Sequence, residues 1–365
     1  MVQDSKEFLN TDRTEVQKRP TLYKPTRAIV LVQLGLGCHT RSSDGGTCLD
    51  DESHTALTTE NPNDPAPNNA SDPPNAPLPA EPKPWGRIDR IRLLIWVGIS
   101  FGVPFALVYG LHLAGRNPSV LTVQSELPIK VFMAFFVSLA TWVVSRIEKR
   151  SLGDYGIPLR QAFGARFWEG SAWGFAMLSA ILLVLRLSGH FQIDSAALAG
   201  GAVIRWALAW GATFLAVSFN EELAFRGYWL FSMSRRMRFW PAALFLSGVF
   251  AVAHLGNHGE TIMGILQVVA TGLLFCLMIR RTGTLWFAIG FHAAWDWAET
   301  FFYGTPDSGL LGAGRLLNTS VSGPNWIAGG SAGPEGSIFA MVILALCAAL
   351  VHFCFPKVIY PDRPV

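Results

Sequence analysis

Hydrophobic and polar positions divide the chain into two unlike parts. From residue 90 onward, long apolar runs alternate with short charged breaks. Each run approaches the ~20 residues that a helix needs to cross a bilayer. The pattern predicts about eight helices, near 92–114, 128–147, 167–188, 200–233, 239–257, 261–280, 284–303 and 337–355. The fourth run is long for a simple span and is expected to tilt or to project beyond the membrane. The fold class is therefore all-α, a polytopic membrane helix bundle.

Residues 1–86 follow no such pattern. The stretch "NPNDPAPNNASDPPNAPLPAEPKP" (61–84) is rich in Pro, Asn and Ala, and Leu78 is its one bulky aliphatic. It cannot bury a core and is expected to be a disordered, partly extended tail. The upstream run "AIVLVQLGLGC" (28–38) is too short to span. It follows basic residues, as a signal peptide would, and Cys38 raises a lipoprotein-type cleavage site. Gly35 stands where such a site wants a large aliphatic side chain. A start site placed too far upstream explains the run at least as well.

Composition supports the membrane reading. Half of the residues are hydrophobic and 15% are charged, against about 25% charged in soluble domains. A net charge of +3 is too small to suggest a nucleic-acid partner. The five cysteines (38, 48, 276, 347 and 354) show no CxxC or Cys/His spacing, so neither a disulfide framework nor a zinc finger is expected. No internal repeat supports an inverted-repeat transporter.

The basic residues concentrate at alternate breaks. Arg87, Arg90 and Arg92 precede the first helix, and Arg146, Lys149, Arg150, Arg160 and Arg166 follow the second. Arg235, Arg236 and Arg238 follow the fourth, Arg280 and Arg281 the sixth, and Lys357 and Arg363 the last. This predicts a multi-pass protein of the cell membrane with both termini in the cytoplasm. The Gly/Ser/Pro-rich loop 304–336 is then expected on the opposite side.

Ionisable groups at membrane depth cost roughly 2.5–3.5 kcal/mol each and need partners or a wet cavity. Three clusters qualify: Glu221-Glu222-x-x-x-Arg226, Phe250-x-x-x-His254 and His292-x-x-x-Asp296. Glu222 and Arg226 are i,i+4 and can pair on one helix face. Glu221 is then turned about 100° away and is free to face something else. His292 and Asp296 share a face too, and Phe250 can pack beside His254. Glu221 and His254 each lie about 16 residues from the basic turn at 235–238, or roughly 24 Å along a helix. They are therefore expected at one level, within reach of His292 and Asp296.

A carboxylate facing a neutral imidazole can activate water: the Glu takes the proton and the His orients the water. A low-dielectric site moves a carboxyl towards the range a general base needs. A second His with a polar neighbour could stabilise the oxyanion of a tetrahedral intermediate. The reaction class that fits is hydrolysis of an acyl bond inside the membrane. Plainer readings stand beside these. Glu222 and Arg226 could be a helix-holding ion pair, His254 a core histidine bonded to a carbonyl, and His292/Asp296 a stabilising pair. His258 is expected in a solvated helix end, Glu299 at the interface, and the tryptophans in interfacial belts.

Three motifs in this order on separate helices, EExxxR, FxxxH and Hxxx(N/D), resemble the CPBP (CAAX protease/Abi, Rce1-like) family of intramembrane glutamic endopeptidases. The resemblance covers about residues 200–300 closely, and the loop "GGSAGPEGS" (329–337) also looks like family members. It implies that Glu221 and His254 activate the catalytic water and that His292 and Asp296 form the oxyanion site. Glu222, Arg226 and Phe250 complete the motifs. CAAX proteases of eukaryotes and archaea favour Asn where this chain has Asp296, whereas bacterial relatives carry Asp. A carboxylate there opposes an oxyanion unless it is protonated or only orients His292. The implied organisation is a tail (1–86), N-terminal transmembrane helices (87–198), a protease core (199–303), and a Gly-rich loop with the last transmembrane helix (304–365). The implied partners are membrane lipid and a peptide or protein substrate, with no nucleic acid and no cofactor. A catalytically silent scaffold or bacteriocin-immunity protein, or a zinc peptidase using Glu221, His254 and His292, are the alternatives.

Overall fold

The computed structural model describes residues 85–113, 123–256, 261–309 and 311–360. The tail expectations, Cys38 and His258 lie outside the described residues. Each apolar run within them forms helix. Helix α1 (Arg87–Val97) passes through a π turn at Gly98–Gly102 into α2 (Val103–Leu113). Then come α3 (Val123–Glu148), α4 (Ala165–Leu187), α5 (Gly201–Arg226), α6 (Tyr228–Met237), α7 (Phe239–His254), α8 (Ile262–Thr282) and α9 (Leu285–Trp297). Helix α9 continues as a π turn over Ala298–Tyr303, and the short α10 (Asn325–Ala328) precedes α11 (Ile338–Cys354). Among the described residues, five helical stretches are long and apolar enough to cross a membrane: Arg87–Leu107, Glu126–Glu148, Ala165–Leu187, Gly201–Met237 and Ile262–Thr282. Helices α7 and α11 are apolar but shorter. Large side chains such as Phe105, Leu208, Ile262 and Phe353 face outward, which suits contact with lipid.

Two features depart from the pattern read in the sequence. The long fourth run breaks after Arg226. Gly227 leaves helical geometry at ψ −119°, and a Cβ there would meet the Leu223 carbonyl. The bundle also carries a two-stranded antiparallel ribbon, β1 (Phe191–Ala196) against β2 (Leu317–Val321), with Phe191 opposite Val321 and Ala196 opposite Leu317. Its partners are far apart in the chain, so no local turn signal announces it.

The basic breaks meet at one end of the bundle. Glu148 accepts hydrogen bonds from the hydroxyls of Tyr155 (2.9 Å) and Tyr228 (3.2 Å) and from Arg235 (3.4 Å). Arg150 lies 3.6 Å from the same carboxylate. Arg236 bonds Asp89 at 2.7 Å. The amide of Leu285 bonds the Gly156 carbonyl, and that of Ile359 the Arg280 carbonyl. Burial and the Glu148 charge push the Tyr155 phenol up from its ordinary value.

Helix α9, which carries His292 and Asp296, is seated by close approach to α4. Gly170 and Gly174 form a small-xxx-small pair on α4. A Cβ on either would run into the carbonyl of Phe287 or Phe291, and one on Gly290 into that of Phe167. Small residues let membrane helices approach backbone to backbone. Gly174→Val is therefore expected to cost about 1–3 kcal/mol by overpacking. Thermal unfolding of the purified protein in detergent reads this as a lowered midpoint, and an unchanged midpoint would show that α4 and α9 are not in close contact.

Candidate active site

The three motif helices and α3 enclose a cavity of about 490 Å³. Glu221, His254, His292 and Asp296 all line it, as the depth argument predicts. Behind Glu221, Glu222 and Arg226 are both fully buried and bonded at 2.9 Å. The Arg226 guanidinium lies 4.1 Å from the centre of the Phe250 ring and 5.4 Å from that of Phe275, a cation–π arrangement. Gly272 admits it: a Cβ there would sit 2.9 Å from the Arg226 Nη2 and 2.7 Å from the Ser247 hydroxyl.

On α7, His254 stacks edge-on against Phe250, ring centres 4.4 Å apart. Its Nδ1 is 2.8 Å from the Phe250 carbonyl. A carbonyl only accepts, so Nδ1 carries the proton and Nε2 of the neutral ring is left as an acceptor. The bond expected of a plain core histidine is thus present, and it orients the ring whose other nitrogen is available. Among the described residues His254 makes no direct ion pair with Glu221.

On α9, His292 is ringed by carboxylates. Its Nδ1 donates to Glu222 at 3.1 Å, and its Nε2 lies 3.4 Å from Asp296 and 3.9 Å from Glu221. The His292–Asp296 pairing follows from spacing, but the bond to Glu222 does not. Glu222 therefore joins Arg226 to His292 and couples the first motif to the third.

Lys130 was not singled out in the sequence. Its ammonium lies 3.5 Å from Glu221. The signal was a lone lysine in the apolar run of α3, and such residues mark functional sites by default. Burial alone was considered as the tuning of Glu221; the structure adds an ammonium within ion-pair distance. Glu299 is fully buried within the bundle, one helical turn beyond the buried Trp295 and Asp296. Loop 304–336 also reaches the site, because Asp307 and Glu335 line the cavity. Burial raises the Asp307 carboxyl to about 6, against the pull of the Thr300 hydroxyl that bonds it at 3.1 Å.

A tetrahedral Zn²⁺ with bonds of about 2.1 Å needs its ligand atoms about 3.4 Å apart. Among the described residues, the donors of Glu221, His254 and His292 do not gather within 4.8 Å of one another.

Carboxylates and imidazoles from separate helices thus share one cavity inside an apolar helix bundle. Residues 203–298 match the family model described as type II CAAX prenyl endopeptidase Rce1-like. That segment holds all three motifs, and the match is consistent with the CPBP family. A search of curated proteins gives no match.

Proposed function

We propose that the chain is an intramembrane endopeptidase that hydrolyses a peptide bond of membrane-associated peptides or proteins. The observation that carries this reading is the convergence of Glu221 and His254, from two different helices, on one cavity backed by a buried Glu222–Arg226 pair. A water between them would give its proton to Glu221 while His254 Nε2 orients it. The hydroxide attacks the scissile carbonyl. The oxyanion is met by the His292 ring, held by Glu222 and Asp296. Glu221 then passes its proton to the leaving amine. Asp296 acts as a positioning residue for His292, which removes the objection to a carboxylate beside an oxyanion. Lys130 holds the Glu221 carboxylate in place. The scheme uses no metal at these residues. The basic end of the bundle faces the cytoplasm in this reading.

Cavity walls of Trp210, Phe214, Val217 and Leu344 are apolar, so a lipidated or hydrophobic segment suits them better than a soluble peptide. Purified protein in micelles should cut a farnesylated CAAX peptide or a membrane-tethered peptide in preference to its untethered form. Cleavage should persist in 1,10-phenanthroline, and its loss on chelation would select the zinc mechanism.

One observation favours a second reading. The Lys130–Glu221 ion pair and the His292 contacts would also hold helices together in a catalytically silent scaffold. Rescue of a null phenotype by Glu221→Gln would select it.

A further inference from the structure

Beside the proposed catalytic residues, the π turn after α9 and the loop that follows bring together Glu299, Asp307 and Glu335. One carboxylate oxygen from each lies within 4.8 Å of the others. Glu299 is fully buried, and neither of its carboxylate oxygens has a hydrogen-bond partner. Asp307 accepts from the Thr300 hydroxyl at 3.1 Å. Glu335 accepts from the Trp295 indole at 2.8 Å and the Ser308 hydroxyl at 3.3 Å. These donors aim the Asp307 and Glu335 carboxylates. Buried charges are paired or coordinate a metal, and no Lys or Arg lies within ion-pair distance of Glu299 among the described residues.

The backbone is shaped around this cluster. Gly333 has φ +93°, and a Cβ there would strike the Pro306 carbonyl and stand 3.4 Å from Glu299 Oε1. A side chain at 333 would thus fill the space in front of the unpartnered carboxylate.

We infer that Glu299, Asp307 and Glu335 form a binding site for a hard divalent cation of calcium's size. All ligands are oxygens, the set that suits Ca²⁺, Mg²⁺ or Mn²⁺ rather than Zn²⁺. Oxygens opposite one another on Ca²⁺ are about 4.6–5.2 Å apart, a span that the 4.8 Å cluster can close on. The ion ties loop 304–309 and the 334–336 turn to the end of α9. It would therefore fix one wall of the cavity without taking part in the chemistry.

The test uses full-length protein in detergent micelles with Mn²⁺ alone as probe, read by electron paramagnetic resonance, and Ca²⁺ as competitor. One Mn²⁺ should bind per chain and be displaced by Ca²⁺. Glu299→Gln and Asp307→Asn should each weaken binding at least tenfold, and Glu221→Gln should leave it unchanged. No binding of Mn²⁺ or Ca²⁺ by the wild-type protein up to about 1 mM, the weak end of calcium sites, overturns the assignment. So does undiminished binding in both cluster variants, or loss of binding in Glu221→Gln. The wild-type titration decides the point even if a variant fails to fold. Neither result depends on proteolysis, so failure here leaves the protease proposal standing.

Discussion

Glu221→Gln is expected to abolish cleavage while the protein still folds and reaches the membrane. The substitution keeps the size of the side chain and removes only its ability to take a proton from water. General-base catalysis supplies about 10²–10⁴-fold in rate, and kcat/KM should fall by that factor. The fold should survive because Glu221 lies at the cavity wall, whereas the buried carboxylate that links α5 to α9 is Glu222, bonded to Arg226 on its own helix and to His292. A melting midpoint close to wild type, measured beside the rate, separates loss of chemistry from loss of structure. His254→Ala should lower the rate as well, because the ring oriented by the Phe250 carbonyl disappears. If either variant kept full activity, water activation at this pair would be refuted.

Arg226→Met is expected to act in the opposite way, through stability. Removing one partner of a buried ion pair leaves the other charge uncompensated and costs about 3–5 kcal/mol. Glu222 would keep its hydrogen bond from His292 but lose the guanidinium 2.9 Å away. The variant should unfold at a markedly lower temperature in detergent. The double variant Glu222→Gln/Arg226→Met removes both charges and should recover part of the loss, since replacing a buried pair as a unit is often near neutral. It should not recover activity, because His292 no longer has the carboxylate that orients it. Equal stability of Arg226→Met and wild type would mean that the pair does not hold the bundle.

Much of this site was legible in the sequence because helical spacing is a local property. Glu222 with Arg226, His292 with Asp296, and Phe250 with His254 are each one turn apart, and their pairing needs only the 3.6-residue period. The shared depth of Glu221 and His254 followed from counting residues back to one basic turn. Contacts between helices that are distant in the chain were not legible. Nothing local says that Lys130 of α3 reaches Glu221, or that His292 turns its Nδ1 to Glu222 instead of pairing with Asp296 alone. The break at Gly227 was hidden inside a continuous apolar run, since one glycine in a helix is tolerated. The β1–β2 ribbon was hidden because its strands are more than a hundred residues apart.

Protein termini in host membranes report whether Glu221 makes this bundle a protease. Cells carrying wild-type protein or Glu221→Gln would be compared, with equal amounts of each form confirmed in the membrane fraction. A specific set of new termini, on membrane-associated proteins or peptides, should be present with the wild-type protein and absent with the variant. Those termini would also name the substrate. Identical profiles in the two strains, together with rescue of a null phenotype by Glu221→Gln, would contradict this role of Glu221 and leave the helix bundle as a scaffold.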